Sequence, residues 1–534
     1  MLHITLSGGP IPLENKGFPI VRRVSRLALA VLLALAAAPG AQAADGKIAI
    51  VAAENFYGDI ARQIGGERVA VVSIMSNPDQ DPHLFETTPG IVRQIAGAQI
   101  AIFNGANYDP WMEKLLSAAP RPNRTVIVAA DLLDARRERY ARLITHEMGK
   151  LLVEARAEVA KCAAGCRYYA ANAARMLAPE IAPTEAARSY VTFDPLGPVL
   201  AVMPWNFPFW QVFRFAAPTI AAGNVALLKH AANVSGAALA IEALWRDAGA
   251  PVGVFQTLLV PADAVAALVA DERVRAVTLT GSERAGTSIA EAAGRVCKKC
   301  VLELGGSDPF IVLADADPAA AARAAVRARI VNAGQSCIAA KRFIIAAPIA
   351  DAFTRAFAKG MAALVLSDPR RPETQLAPLA RADLRAELAR QMDASLAAGA
   401  RSVTPARALP ATGFFHAPHV LADVRPGMPV FDEEVFGPVA AVAIATDDAD
   451  AIHLANRSRY GLGASIWTRE PARAEELARE LEAGMVFVND IVHSDPRLPF
   501  GGIKRSGYGR ELSHYGILEF ANVRTIVVGP AEAT

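Results

Sequence analysis

Three short stretches of this 534-residue chain carry residues that could do chemistry together. Cys337 ends Gly334-Gln335-Ser336-Cys337, Glu303 opens Glu303-Leu304-Gly305-Gly306, and Asn206 is the centre of Pro204-Trp205-Asn206-Phe207-Pro208. A thiol is a nucleophile, a carboxylate a general base, and a side-chain amide a donor for a developing oxyanion. Together they are the minimum set for oxidising a carbonyl through a covalent thioester. Each stretch alone is a weak signal; their order and spacing make a strong one. The glycines after Glu303 let backbone approach another group closely.

Composition narrows the class. Apolar residues make up 53% and charged residues 20%, which excludes a chain disordered by composition. Lys plus Arg (55) nearly cancels Asp plus Glu (53), so neither nucleic acid nor an anionic membrane is expected as a partner. The cysteines at 162, 166, 297, 300 and 337 are odd in number and sparse, against a disulfide framework. Cys297 and Cys300 have a metal-pair spacing, but no second pair completes a tetrahedral site, so no metal is expected there. Cys162 and Cys166 fall one helical turn apart in an Ala-rich stretch and read as core residues.

The N-terminus has its own character. Arg22, Arg23 and Arg26 precede an apolar run from Leu27 to Ala38, followed by Ala41-Gln42-Ala43. That is the pattern of a secretory signal over residues 1–43, cleaved near Ala43, with an apolar run too short to span a bilayer. Residues 44–133 read as a small α/β unit: strands at 48–53, 69–75 and 100–103, with helices between. Through Ala53-Glu54-Asn55-Phe56-Tyr57, Asp81-Pro82-His83 and Asn104-Gly105-Ala106-Asn107-Tyr108, this stretch resembles the N-terminal lobe of zinc/manganese solute-binding proteins of ABC importers. The resemblance implies that His83 is a metal ligand. One imidazole does not hold a divalent ion tightly, so a vestigial or structural lobe is expected.

From about 134 onward, helical and strand patterns alternate, which argues for a parallel sheet covered on both faces. Strands are expected at 190–193, 199–203, 225–228, 254–260 and 277–280, with Arg136 to Leu152 a charged amphipathic helix. Gly281 to Gly286 follows a strand and opens a helix, a place that suits pyrophosphate or is a plain helix start. Lys229 closes a neighbouring strand, within reach of a ribose or phosphate, or as a solvated charge.

With Glu433-Glu434-Val435-Phe436-Gly437-Pro438 and Pro499-Phe500-Gly501-Gly502 added, the chain from about 131 to its C-terminus resembles the aldehyde dehydrogenase superfamily. Within it, Thr145-His146-Glu147-Met148-Gly149-Lys150 and Ser307-Asp308-Pro309-Phe310 are similar to succinate-semialdehyde dehydrogenases. The resemblance implies an α/β fold. It has a Rossmann-type cofactor domain (134–303, with an oligomerisation hairpin near 186–203), an α/β catalytic domain (304–510) and a C-terminal oligomerisation segment (511–534). It implies Cys337, Glu303 and Asn206 as catalytic residues and Trp205, Lys229, Ser282, Glu434 and Phe436 at the cofactor. Gly281 and Gly286 belong to the same cofactor turn.

Ala232 stands where NAD-preferring relatives often carry Glu, which permits NADP, with NAD use close behind. Arg214 and Ser494 are the implied grips for a distal carboxylate on the aldehyde substrate, with a surface or interface charge the alternative for Arg214. The strand at 523–528 implies pairing between subunits, as dimers or tetramers. The family's usual opening segment is replaced by the solute-binding-like lobe, so uncovered apolar surface is expected on the cofactor domain. Three readings follow: a dehydrogenase acting on succinate semialdehyde, a periplasmic metal-binding component, or an inactive fusion. The signal argues for export, whereas nicotinamide chemistry and a reduced thiol argue for the cytoplasm.

Overall fold

The computed structural model describes residues 47–75, 88–103, 110–118, 125–127 and 131–529. They divide into two compact units, one built from segments before Ile127 and one holding all of Ile127–Thr534.

In the first unit four strands stand in the order Val69–Met75, Ile48–Glu54, Ile100–Ile102, Thr125–Ile127. Ile50 pairs in parallel with Ile100. Thr88 caps the helix Pro89–Gly97 by accepting the Ile91 N–H, with Pro89 preset for the first turn. The three expected strands are present. The signal segment 1–43, His83 and Asn104 to Tyr108 lie outside the described residues. Among the described residues no group of three His, Cys, Asp or Glu could hold a metal, and no helix is long and apolar enough to cross a membrane.

The second unit begins earlier than the sequence suggested. Leu133, on the helix Asp131–Ala135, is buried in the same core as Tyr140, Val159 and Phe209. Burial of that one leucine draws the short helix into the larger unit.

A six-stranded sheet runs Gly507–Tyr508, Lys299–Glu303, Ala276–Thr280, Pro198–Met203, Val225–His230, Phe255–Thr257. All neighbours are parallel except the first pair. The chain steps outward from Pro198–Met203 to Phe255–Thr257, then returns to Ala276–Thr280 on the opposite side. Strand order therefore reverses between Pro198–Met203 and Ala276–Thr280, and the crevice beyond their carboxyl ends is where such sheets bind ligands.

A second sheet of seven strands has Val439–Ala445, Arg342–Ala346 and Pro309–Val312 at its centre. Arg342–Ala346 and Pro309–Val312 are buried at every position, because helices such as Pro318–Ile330 and Ala350–Ala362 cover the sheet. Only Leu304 to Asp308 separates Lys299–Glu303 of the first sheet from Pro309–Val312 of the second.

A third, small sheet pairs Ala521–Val528 with Arg188–Pro195 of the same chain over eight residues, with Glu180–Ile181 beside it. The C-terminal strand thus finds its partner within its own chain. Ile181, Val523 and Val527 remain exposed on this sheet, as do Leu239, Val252 and Leu259 in the cofactor domain.

One buried ion pair holds the turn that carries Asn206. Lys150 and Glu158, both almost fully buried, are joined between the turn before the helix Leu152–Met176 and that helix itself. The second Glu158 oxygen accepts the N–H groups of Phe209 (2.9 Å) and Trp210 (3.0 Å) at the start of the helix Trp210–Ala221. The carboxylate satisfies donors that a helix start leaves open, and so fixes the turn carrying Asn206. Glu158→Ala is expected to destabilise the protein by about 3–5 kcal/mol, leaving Lys150 charged and unpaired. The midpoint of thermal unfolding checks this, and a Lys150→Met/Glu158→Gln pair should recover part of the loss.

Candidate active site

Cys337 follows a turn that costs energy to hold. Asn332 (φ 52°), Ala333 (φ 56°) and Gly334 (φ 78°) are all left-handed, and two of them carry side chains. The surroundings over-determine this turn. Asn332 Nδ2 donates to the carbonyls of Asn206 (2.8 Å) and Gln335 (3.1 Å), and the Asn332 N–H donates to Glu154. Arg329 donates to the Gly334 carbonyl at 2.9 Å. Lys341 Nζ donates to the carbonyls of Ser336 (2.9 Å) and Cys337 (2.5 Å). Gly334 presses so closely on the Gly437 carbonyl that no Cβ would fit.

Asn206 reaches the same turn from the other sheet. Its Nδ2 donates to Gln335 O at 2.9 Å, which uses one amide hydrogen and leaves the second. The glycines after Glu303 arrive from the third direction. A Cβ on Gly306 would lie 2.7 Å from the Cys337 carbonyl oxygen, and one on Gly305 would collide with Glu434. The Gly306 N–H donates to Glu434 Oε1 at 3.0 Å. Close backbone approach is therefore the reason both positions are glycine. Segments 206, 303–306 and 334–337 converge as the sequence implied.

Glu303 ends its strand 2% exposed, with no hydrogen-bond partner at either oxygen among the described residues. Burial, then the neighbouring Glu511 carboxylate, pushes its carboxyl well above the usual range; Arg214 and Arg510 oppose that. Gly501 abuts it, since a Cβ there would stand 2.6 Å from Glu303 Oε1. Burial likewise pushes the Cys337 thiol up to about 12, against the pull of Lys341 and Arg214. Cys337 as a residue is partly exposed.

The crevice fits a dinucleotide. Ser282 caps the thirteen-residue helix Glu283–Arg295 by accepting the Ala285 N–H, so that helix start faces the end of Ala276–Thr280. The Gly281 N–H donates to Glu303 O at 3.0 Å, tying this turn to the carboxylate's own residue. Lys229 pairs with Val202 at the carboxyl end of the adjacent strand. Gly286 serves packing: a Cβ there would meet Leu304 Cδ2 at 2.5 Å. Trp205 and Phe436 meet edge to face, 6.0 Å apart. Ala232 is exposed and brings no carboxylate that would repel a 2′-phosphate.

The two implied carboxylate grips differ in what they have left to offer. Arg214 is 3% exposed and ion-paired with Glu511; it also donates to Thr280 Oγ1 and lies over the Phe500 ring. Ser494 is buried beside Trp210 and Lys161. Sequence reasoning missed Lys341, Glu511, Glu158 and Lys161. They stand outside the chemical motifs, and only the fold brings them in.

The sequence profile of the aldehyde dehydrogenase family matches residues 113–526. The chain belongs to that family. Among curated relatives of this aldehyde dehydrogenase, the probable succinate-semialdehyde dehydrogenase [NADP(+)] of Synechocystis sp. is 52% identical over 398 residues, covering 74% of this chain and 88% of that one. The succinate semialdehyde dehydrogenase [NAD(P)+] Sad of Escherichia coli is 51% identical over 421 residues, covering 79% and 90%. Among solved structures, succinic semialdehyde dehydrogenase from Streptococcus pyogenes in complex with NADP+ superposes with a TM-score of 0.74 at 40% identity, covering 75% of this chain and 88% of that one.

The thiol and the carboxyl both hold their protons more tightly than usual, and a nucleophile and a general base are needed deprotonated. Activity of the dehydrogenase should therefore climb with pH. An increase in kcat/KM of about fivefold or more between about pH 7 and pH 9 is expected, with carboxymethylation of Cys337 by iodoacetate accelerating in parallel. A flat profile would contradict the proton affinities described.

Proposed function

We propose that this dehydrogenase oxidises succinate semialdehyde to succinate with NADP+ as preferred oxidant and NAD+ as the second. The observation that carries the reaction class is the meeting of Asn206, the Gly305-Gly306 turn and Cys337 in one buried, over-determined junction. The names of relatives about half identical to this chain support the substrate, and uncharged Ala232 supports the oxidant.

The chain's residues divide the chemistry as follows. Cys337 Sγ attacks the aldehyde carbon as thiolate. The free amide hydrogen of Asn206 and the Cys337 backbone N–H stabilise the oxyanion that forms. A bound nicotinamide would supply the acceptor for the hydride leaving that carbon, with the acyl group left on Cys337 as a thioester. Glu303 then takes a proton from water as the water oxygen attacks the thioester carbon; the C–S bond breaks, releasing the acid and the thiolate. Glu434, Phe436 and Trp205 would flank the nicotinamide and its ribose, and Ser282 and Lys229 the phosphates and the far ribose.

NADPH formation with succinate semialdehyde, followed at 340 nm, tests this reading. Wild type should turn over, Cys337→Ala should lose about 10³-fold or more, and Glu303→Gln should retain an initial burst while losing steady-state turnover. Absence of any NAD(P)H signal in the wild-type chain would reject the assignment.

The exposed apolar side chains of the sheet made by Arg188–Pro195 and Ala521–Val528 support a homo-oligomer built through that sheet. Val523→Asp is expected to reduce the mass seen by light scattering by about half or more; an unchanged mass would place the interface elsewhere. All the residues with roles here lie in the second unit, so we assign the N-terminal unit no part in the reaction.

A further inference from the structure

Lys161 sits inside the Ala-rich helix Leu152–Met176, flanked by buried Val159, Cys162 and Ala163. Its ammonium group forms no ion pair among the described residues. The acids around it are committed elsewhere: Glu158 to Lys150 and two backbone N–H groups, Asp495 to Arg497 at 2.6 Å. Burial, then Arg214, draws this ammonium down to about 8. A half-buried cation without a counter-ion carries a desolvation cost that a neutral hydroxyl and a ring face offset only in part.

What touches the cation is a hydroxyl and an indole. Lys161 Nζ donates to Ser494 Oγ at 2.7 Å, and Trp210 Nε1 donates to the same oxygen at 3.0 Å. The Trp210 ring lies 4.7 Å from the ammonium. With both lone pairs of Ser494 Oγ engaged, its one remaining capacity is to donate its own hydrogen. Two ammonium hydrogens remain as well. Such a cluster is complementary to an anion that only accepts, which is what a carboxylate is.

Its place along the fold suits the far end of a short substrate. Trp210 and Arg214 are one turn apart on the same helix face, about 5.4 Å along the axis. Trp210 touches Ser494, while Arg214 touches Glu511, Thr280 and Phe500 at the Glu303 end. That offset is comparable to the span of a four-carbon semialdehyde. Arg214 has its charge matched by Glu511 already.

We infer that Lys161, with the Ser494 hydroxyl, is the anchor for the distal carboxylate of the aldehyde substrate. The inference rests on the succinate semialdehyde reading and names the residue that supplies its charge selectivity. Lys161 is a binding residue; the chemistry at the aldehyde end does not involve it.

The test compares kcat/KM for succinate semialdehyde and for butanal, a neutral aldehyde of the same length, in wild type, Lys161→Met, Lys161→Arg and Ser494→Ala. Methionine keeps the apolar stem and removes the charge. Expected for Lys161→Met is a loss of about 30- to 100-fold with succinate semialdehyde, carried by KM, and about threefold or less with butanal. Lys161→Arg should keep most of the preference for the charged aldehyde, and Ser494→Ala should lower it about five- to tenfold. Equal losses with both aldehydes would mean a structural role and overturn the inference, as would an unchanged ratio in Lys161→Met. A wild type that does not distinguish the two aldehydes would instead reject the substrate reading itself, and this inference with it.

Discussion

Backbone carbonyls held by buried cations are the constraint on which the site depends. Arg329, Lys341 and Arg342 are all but fully buried, and the hydrogen bonds that each makes among the described residues go to main-chain oxygen rather than to carboxylates. Lys341 and Arg329 grip the carbonyls around the left-handed turn before Cys337. Without them, three consecutive residues at positive φ would have little reason to stay there. Desolvating such charges is costly, and the cost holds a sulfur where the chain would not otherwise put it. The same lysine lies 3.9 Å from Glu434, so a single ammonium group serves both the nucleophile's turn and the acid beside the glycine pair.

The active junction is also the place where two sheets are joined. Leu304 to Asp308 is the first and shorter of two chain passages between them, and it is tightly engaged. Gly305 admits Glu434, Gly306 admits the Cys337 carbonyl, and Asp308 accepts the Gly463 N–H at 3.2 Å while its own carbonyl receives Lys341 N. Burial raises the Asp308 carboxyl to about 7, as expected where neighbouring cations only partly offset desolvation. A connection so filled leaves the sheets little freedom to shift at the point where the thiol and the carboxylate must meet.

Much of this was legible in the sequence, for identifiable reasons. Parallel strands buried on both faces read as apolar runs, so Val199–Met203 and Val277–Thr280 stood out. The glycines at 305 and 306 signalled a close approach, and the structure supplies what approaches. Expected strand 254–260 is only Phe255–Thr257, because Leu259 and Val260 run on into an exposed segment past the sheet edge. Long-range electrostatics stayed invisible. Nothing local reveals that Glu511 neutralises Arg214, that Glu158 reaches the N–H groups of Phe209 and Trp210, or that Lys161 meets a serine 333 positions later. Those contacts are properties of the fold, and a single sequence carries no pattern for them.

The short strand Gly507–Tyr508, which caps the first sheet by pairing with Leu302 and Glu303, has a temporal meaning. A chain emerging from the ribosome has made the carboxylate's strand long before it has made the residues that close over it. Until Phe500 to Glu511 has left the exit tunnel, that sheet edge stays open to other chains. The carboxylate's strand thus waits for partners made about two hundred residues after it.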